Sequence, residues 1–229
     1  MAANTINPII EQPGLPPRSD DQKKLLDDFF GVNSDSKTEN SDGSVTYTTP
    51  EGGSLTVFGE GTAAPKKITG DALLSANVGG TTKLKGPGPH KIGVADDADH
   101  KIVGKGKSDD EIILAGNGNN IVKAGGGNDT IHSGAGDDKM VGGAGRDTYV
   151  FNTGKTGDDT IVGFSKKDTL EIHDRNGDGK ADANDIKSID KSGQDVVITF
   201  ADKDASTVKL KDVSLKVVQE HIKYVDDAT

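Results

Sequence analysis

Carboxylates return at a fixed interval in the middle of this chain. Asp129, Asp138 and Asp147 stand nine residues apart, Asn120 takes the position before them, and Asp159 follows after a short insertion. Glycines precede the first four of these positions by two and four residues: Gly116 and Gly118, Gly125 and Gly127, Gly134 and Gly136, Gly143 and Gly145. Two residues after each comes a large apolar side chain, in turn Val122, Ile131, Met140, Tyr149 and Ile161. Carboxylates, together with the backbone carbonyls of glycine turns, form a ligand set of oxygen without nitrogen or sulfur. Calcium takes about six to eight such ligands in flexible geometry, whereas magnesium holds to a tighter octahedron and keeps its waters.

A second oxygen-rich cluster lies downstream in DRNGDGKADAND, residues 174–185. A calcium loop of the EF type draws ligands from positions 1, 3, 5, 7, 9 and 12 and turns on a glycine at 6. Here those are Asp174, Asn176, Asp178, the Lys180 carbonyl, Asp182 and Asp185, with Gly179 at the turn. Asp stands at position 12 where Glu is usual, and the preceding DTLEIH reads as a strand. The loop therefore resembles isolated, dockerin-type calcium loops more than paired EF-hands. The plainer alternative is a solvated polar turn.

The elements that would position the repeating carboxylates follow from the period. Around each apolar pivot a few residues suffice for a short strand, pivot inward and neighbours outward. The remaining six must reverse the chain, and glycine supplies the positive φ and the close backbone approach. Strand and turn, twice over, give a flattened coil of two nonapeptides per revolution, so turns two repeats apart stack. Asp129 and Asp147 then face one edge, and Asn120, Asp138 and Asp159 the other. The pivots alone bury too little to hold such a coil, and without a cation its stacked carboxylates repel.

Composition agrees. Of 229 residues only 31% are hydrophobic and 4% aromatic, with 31 glycines and no Trp, a thin supply for a packed core. The net charge is −10, and 19 acids face 12 bases between Asp96 and Asp190. Nucleic acid is a poor partner for such a surface. The absence of cysteine excludes disulfides and thiolate chemistry. The N-terminus has no basic or apolar stretch of a Sec signal, and no run reaches the ~18 apolar residues of a membrane span.

The lines AGNGNNIVK, AGGGNDTIH, SGAGDDKMV and GGAGRDTYV resemble the RTX nonapeptide, G-G-x-G-x-D-x-U-x. That resemblance implies an all-β fold, a parallel β-roll that forms on binding calcium. It also implies export by a type I secretion system that reads an uncleaved C-terminal signal, and hence a secreted, extracellular protein. By the same resemblance Asp129, Asp138, Asp147 and Asp159 are side-chain ligands, with Asn120 and Glu111 in the same slot as weaker matches.

The organisation expected is a largely irregular region at 1–64 and worn repeats at 65–105. The calcium roll follows at 106–165 and a C-terminal cap at 166–229, with a β-hairpin and a helix. Within the first region SDDQKKLLDDFFG reads as a short helix and SVTYTTPEGGSLTVFG as a hairpin. In the worn repeats Leu84, Ile92, Ile102 and Ile113 are the expected pivots. In the cap ANDIKSIDK and KVVQEHIKYV read as helices, and Val196, Ile198 and Phe200 against Val208 and Leu210 as a hairpin.

None of the five histidines lies in H-E-x-x-H, and neither G-x-S-x-G nor a P-loop is present. No catalytic constellation emerges, and His132, just after a pivot, reads as an ordinary outward residue. The function expected is non-catalytic: an extracellular calcium-dependent binding, matrix or host-interaction protein with a glycan or surface partner. The alternatives are a small membrane-active RTX protein, for which LLDDFF and the N-terminal tail are the only hints, and a non-catalytic module of a polysaccharide-modifying enzyme.

Overall fold

In the computed structural model, residues 37–226 are described, apart from 49–53, 60–61, 64, 75–77, 87, 153 and 155. The expected helix at 19–31 and the turn of the N-terminal hairpin lie outside the described residues. The described residues wind into two facing sheets, one of ten strands and one of nine.

The first wall opens with three antiparallel strands, Lys37–Glu39, Val45–Thr48 and Ser54–Phe58. From there on, every neighbour is parallel: Asp71–Leu74, Lys91–Val94, Glu111–Leu114, Thr130–His132, Thr148–Phe151, Thr169–Ile172 and Ile222–Tyr224. The second wall runs parallel through Lys67–Ile68, Gly80–Leu84, His100–Val103, Ile121–Gly126, Lys139–Ala144, Asp158–Val162 and Thr207–Lys211. It ends in antiparallel Asp195–Phe200 and Ile186–Ser192. Strands of the two walls alternate along the chain, which is the parallel β-roll expected from the nine-residue period.

Register confirms the coil. Val122 sits beside Met140 and Ile131 beside Tyr149, each pair eighteen residues apart. All five expected pivots point between the walls and are essentially inaccessible, as are Ile92, Ile102 and Ile112. The turns of the central repeats are tight enough to need glycine. A Cβ on Gly145, whose φ is +148°, would stand 1.7 Å from the Gly127 carbonyl oxygen one coil earlier, and one on Gly136 would stand 2.2 Å from that of Gly118.

Parallel coiling is already established between Ser54–Phe58 and Asp71–Leu74, and it crosses residues 105 and 165 without a break. In the C-terminal region the hairpin of Asp195–Phe200 and Thr207–Lys211 stacks on the coil, its second strand parallel to Asp158–Val162. ANDIKSIDK differs from its expected helix: only Ala183–Asp185 turns, as a 3-10 helix, and Ile186–Ser192 is a strand. The register shifts between Ile186 and Ser188, so Ile186 and Ile189, three apart as on a helix, both pack against the core of a sheet. The final helix is Leu215–Glu220, capped by Ser214, and Ile222–Tyr224 then joins the first wall. Among the described residues no helix is long and apolar enough to cross a membrane.

Candidate metal centre: two carboxylate ladders

From His90 to Asp168, the turns between walls each deliver one side chain to a buried slot two residues before the inward pivot. On one edge the slots hold His90, Asp110, Asp129, Asp147 and Asp168. On the other they hold His100, Asn120, Asp138 and Asp159. The slots are linked in series. The backbone N–H of His90 donates to Asp110 Oδ1 at 3.0 Å, that of Asp110 to Asp129 at 2.8 Å, that of Asp129 to Asp147 at 3.0 Å and that of Asp147 to Asp168 at 3.0 Å. The second edge repeats this from His100 to Asn120, Asn120 to Asp138 and Asp138 to Asp159, at 2.8–2.9 Å. The structure thus puts Asp129 and Asp147 on one edge and Asn120, Asp138 and Asp159 on the other.

One oxygen of each carboxylate is used in this way. The second Oδ of Asp129, of Asp147 and of Asp159 is buried and has no hydrogen-bond partner. An unpartnered buried carboxylate oxygen is costly, and the usual resolution is a proton or a cation. Burial, foremost, and then the neighbouring carboxylates raise Asp129 to about 7. Burial raises Asp138 to about 6, its two backbone N–H donors from Asn120 and Gly134 pulling the other way. Asp147 is raised by burial and by Asp168, and Asp159 is pushed well up by burial and then by Asp138. A divalent cation between coils would hold these groups ionised and use the free oxygens.

The glycine turns supply further oxygens at the same places. Gly125, Gly127, Gly143 and Gly145 line the edge of Asp129 and Asp147, while Gly116, Gly118, Gly134 and Gly136 line the other. Carbonyls of the preceding coil face these glycines so closely that an added Cβ would meet them: Gly125 O at 2.0 Å from Gly143, Asp96 O at 1.7 Å from Gly116 and Ser108 O at 2.2 Å from Gly127. Among the described residues no three acidic or imidazole side chains converge on one point. The donor set that fits a cation is therefore one or two carboxylates with several carbonyls. That suits a hard, flexible ion such as calcium, which would find its charge balance in the ladders.

Two slots depart from the expected assignment. Ile131 lies beside Ile112, not Ile113, so Asp110 fills the slot and Glu111 begins the strand, part-exposed and 3.9 Å from Lys91. The cause is one extra residue: Asp110 and Asp129 are nineteen apart, where Asp129 and Asp147 are eighteen. Asp168 follows a longer insertion and was hidden by it, and its two oxygens accept from Asp147 and Ser165. The signal that finds both is the acid two residues before the pivot, Asp110 before Ile112 and Asp168 before Leu170.

The same rule finds two histidines. His90 precedes Ile92 and His100 precedes Ile102, and both imidazoles are almost wholly buried. His90 Nδ1 lies 2.9 Å from Asp110 Oδ1 and Nε2 lies 3.0 Å from the Lys85 carbonyl. His100 Nε2 lies 2.8 Å from Asp96. At this end of both ladders a ring nitrogen occupies the place that farther along is left to an open carboxylate oxygen. His132, by contrast, is on the outer face, half-buried, 3.7 Å from Glu111.

A second, exposed ladder runs beside the first, with donors reversed. Asn128 N–H donates back to Asp109 and Arg146 N–H to Asn128 on one edge. On the other edge Asn119 donates to Asp99, Asp137 to Asn119 and Asp158 to Asp137.

Residues 174–185 form a compact loop held by its own side chains. Asp174 accepts from Gly177 and Gly179, Asn176 from Asp178, Asp178 from Lys180 and Asp182 from Asn184. Asp185, fully buried, accepts from Arg175, Asn176 and Asp182. Arg175 ties the loop to the roll: its buried guanidinium donates to the Asn152 carbonyl, to Thr156 and to Asp202, and lies 4.7 Å over the Phe200 ring.

Comparison with known proteins falls on the ladders. A family model for the RTX calcium-binding nonapeptide repeat, in four copies, matches residues 106–149. No curated protein matches the chain. Among solved structures, an extracellular lipase, LipA from Serratia marcescens, is similar at 15% identity over 71% of this chain and 42% of its own, with a TM-score of 0.30. The chain thus spans less than half of that lipase's length.

Proposed function

We propose that this chain, whose residues 106–149 are calcium-binding RTX nonapeptide repeats, is a secreted protein that folds on calcium outside the cell and acts there without catalysis, as a binding or matrix protein. One observation carries the reading: the second oxygens of Asp129, Asp147 and Asp159 are buried between coils with no donor. In a cell interior poor in calcium those carboxylates repel, and the chain stays extended enough to export. At extracellular calcium, a site at about ten times its Kd adds about 1.4 kcal/mol by mass action, and several sites approach the stability of a small domain.

Export through a type I system, reading a C-terminal signal, belongs to this reading. The residues 174–185 add one further calcium, held by Asp174, Asn176, Asp178, the Lys180 carbonyl, Asp182 and Asp185. Circular dichroism in EDTA and then in millimolar calcium tests the core of the proposal. β-structure should appear cooperatively with calcium. A full β-signal in EDTA would defeat it. Removal of residues from Leu215 onward should block export while Asp129 and its neighbours still bind calcium.

A further inference from the structure

From Lys67–Ile68 to Lys139–Ala144 the outward strand positions of the second wall include lysines and no acid; acids join that face farther on, at Asp158, Asp190 and Asp195. Its outward positions form two rows, fixed by strand register and by the buried residues between them, Ile102, Val122, Met140, Ile161 and Leu210. One row runs Lys101, Ile121, Lys139, Thr160 and Lys209. The other begins Lys67, Lys83, Val103 and Lys123, and ends on Lys211. Lys67, Lys83, Lys101, Lys123, Lys139 and Lys209 are exposed, and among the described residues none has a carboxylate partner. Lys211, at the end of the second row, is paired with Asp195, and on the first wall Lys91 and Lys223 are paired with Glu111 and Glu171.

The shape of this basic patch selects the partner. Rows two residues apart are separated by about 7 Å, and seven strands at ~4.8 Å carry the lysines along about 29 Å of the roll axis. The strip is flanked by the exposed Asp99, Asp137 and Asp158 on one side and Asp109 on the other. A flat anionic bilayer would press against those acids as well as the lysines, whereas a chain one residue wide runs between them. Single-stranded nucleic acid relies on aromatic stacking platforms, and the strip has no aromatic side chain. Lysine presents a compact point charge on a flexible stem, suited to matching a regular line of anions without fixed orientation.

We propose that the lysine strip binds a linear acidic polysaccharide, its carboxylates spaced along the roll axis. The proposal rests on the calcium-folded extracellular reading above and gives it a ligand class. The test uses the full chain in calcium and short oligogalacturonates as probe, by calorimetry at two salt concentrations, with circular dichroism on the same samples. Binding should appear and weaken as salt rises. The triple change Lys101→Gln, Lys123→Gln, Lys139→Gln should weaken it at least tenfold, and Lys166→Gln, Lys167→Gln, Lys203→Gln should leave it unchanged. A folded protein that ignores the oligomer, equal losses in both triples, or lysine-dependent capture by anionic vesicles alone would overturn the strip as a polysaccharide site. Binding without any calcium-induced change in dichroism would leave the strip standing and overturn the calcium reading instead.

Discussion

The first coils of the roll and the central ones share a fold and differ in one slot. In the coils of His90 and His100 an imidazole fills the buried position and reaches a carboxylate of the protein itself, Asp110 or Asp96. In the coils of Asp129 and Asp147 the position holds an acid whose second oxygen meets nothing. The slot geometry is the same, since the backbone N–H of His90 donates to Asp110 as that of Asp129 does to Asp147. The difference lies in who supplies the positive end. At His90 both ring nitrogens find partners in the protein, at His100 one does while Nδ1 stays buried without one, and in the coils of Asp129 and Asp147 the gap is left open to a cation from solution. One architecture therefore contains an end closed largely by its own side chains and a middle left open to a cation.

The widest test of that contrast is removal of calcium, followed coil by coil by hydrogen exchange. Two sites at about ten times their Kd correspond to about a hundredfold in protection. Amides of Ile121–Gly126, Thr130–His132 and Lys139–Ala144 should lose that much in EDTA, and those of Lys91–Val94 and His100–Val103 much less. Uniform loss along the roll would erase the distinction. Comparable in size is its inversion: His90→Asp sets a carboxylate against Asp110 and should cost about 3 kcal/mol of metal-free stability, read as a urea midpoint, and calcium should restore it.

Asp129→Asn should separate the two costs of an acid in the slot. Calcium affinity should fall about tenfold, near 1.4 kcal/mol, while the metal-free protein becomes more stable because a buried charge has gone. A loss of both would mean the carboxylate is needed for packing alone.

Acid should act in the same sense as that variant. Asp129 is raised to about 7 and Asp138 to about 6 from an ordinary 3.8. A carboxylate with a raised folded-state pKa penalises the fold above that value, and the penalty fades as pH falls toward the unfolded value. Metal-free stability should rise between pH 7.5 and 5, while the calcium midpoint climbs by up to about tenfold per pH unit for each proton displaced. Titration in EDTA and in calcium would show opposite slopes; parallel slopes would contradict the assignment. The smallest effect is expected at the far end. Asp174→Ala with Asp178→Ala should remove one calcium by calorimetry and move the roll's own midpoint less than threefold, through Arg175. Loss of the whole transition would make loop and roll one unit.

The roll could be read from its sequence because period, pivot and glycine all point the same way from Asn120 to Ile161. What escaped was the register of coils whose length departs from eighteen. A single extra residue moved the slot from Glu111 to Asp110, and an insertion concealed Asp168. His90 and His100 were invisible for a different reason: a motif that asks for aspartate passes over an imidazole doing the same geometric duty. Ile186 and Ile189 read as helix because a shift in strand register reproduces helical spacing. The lysine strip had no linear signature. Lys101, Lys123 and Lys139 are far apart along the chain, and only the coil brings them into neighbouring strands.

The ladder from Asp110 through Asp129 and Asp147 to Asp168 has one more consequence, which concerns the solvent. Adjacent coils place these carboxylates at intervals close to ~4.8 Å along a line. Two unit charges at that separation repel by about 0.9 kcal/mol even in bulk water, more than thermal energy. When ionised, such a line is a short polyelectrolyte, and it gathers sodium ions from its surroundings whether or not any specific cage exists. A calcium ion entering between coils sends several of those sodium ions back to bulk. Part of its affinity is then the entropy of that release, and on the proposal that calcium folds the roll, the salinity of the medium would set where it winds up as much as calcium does.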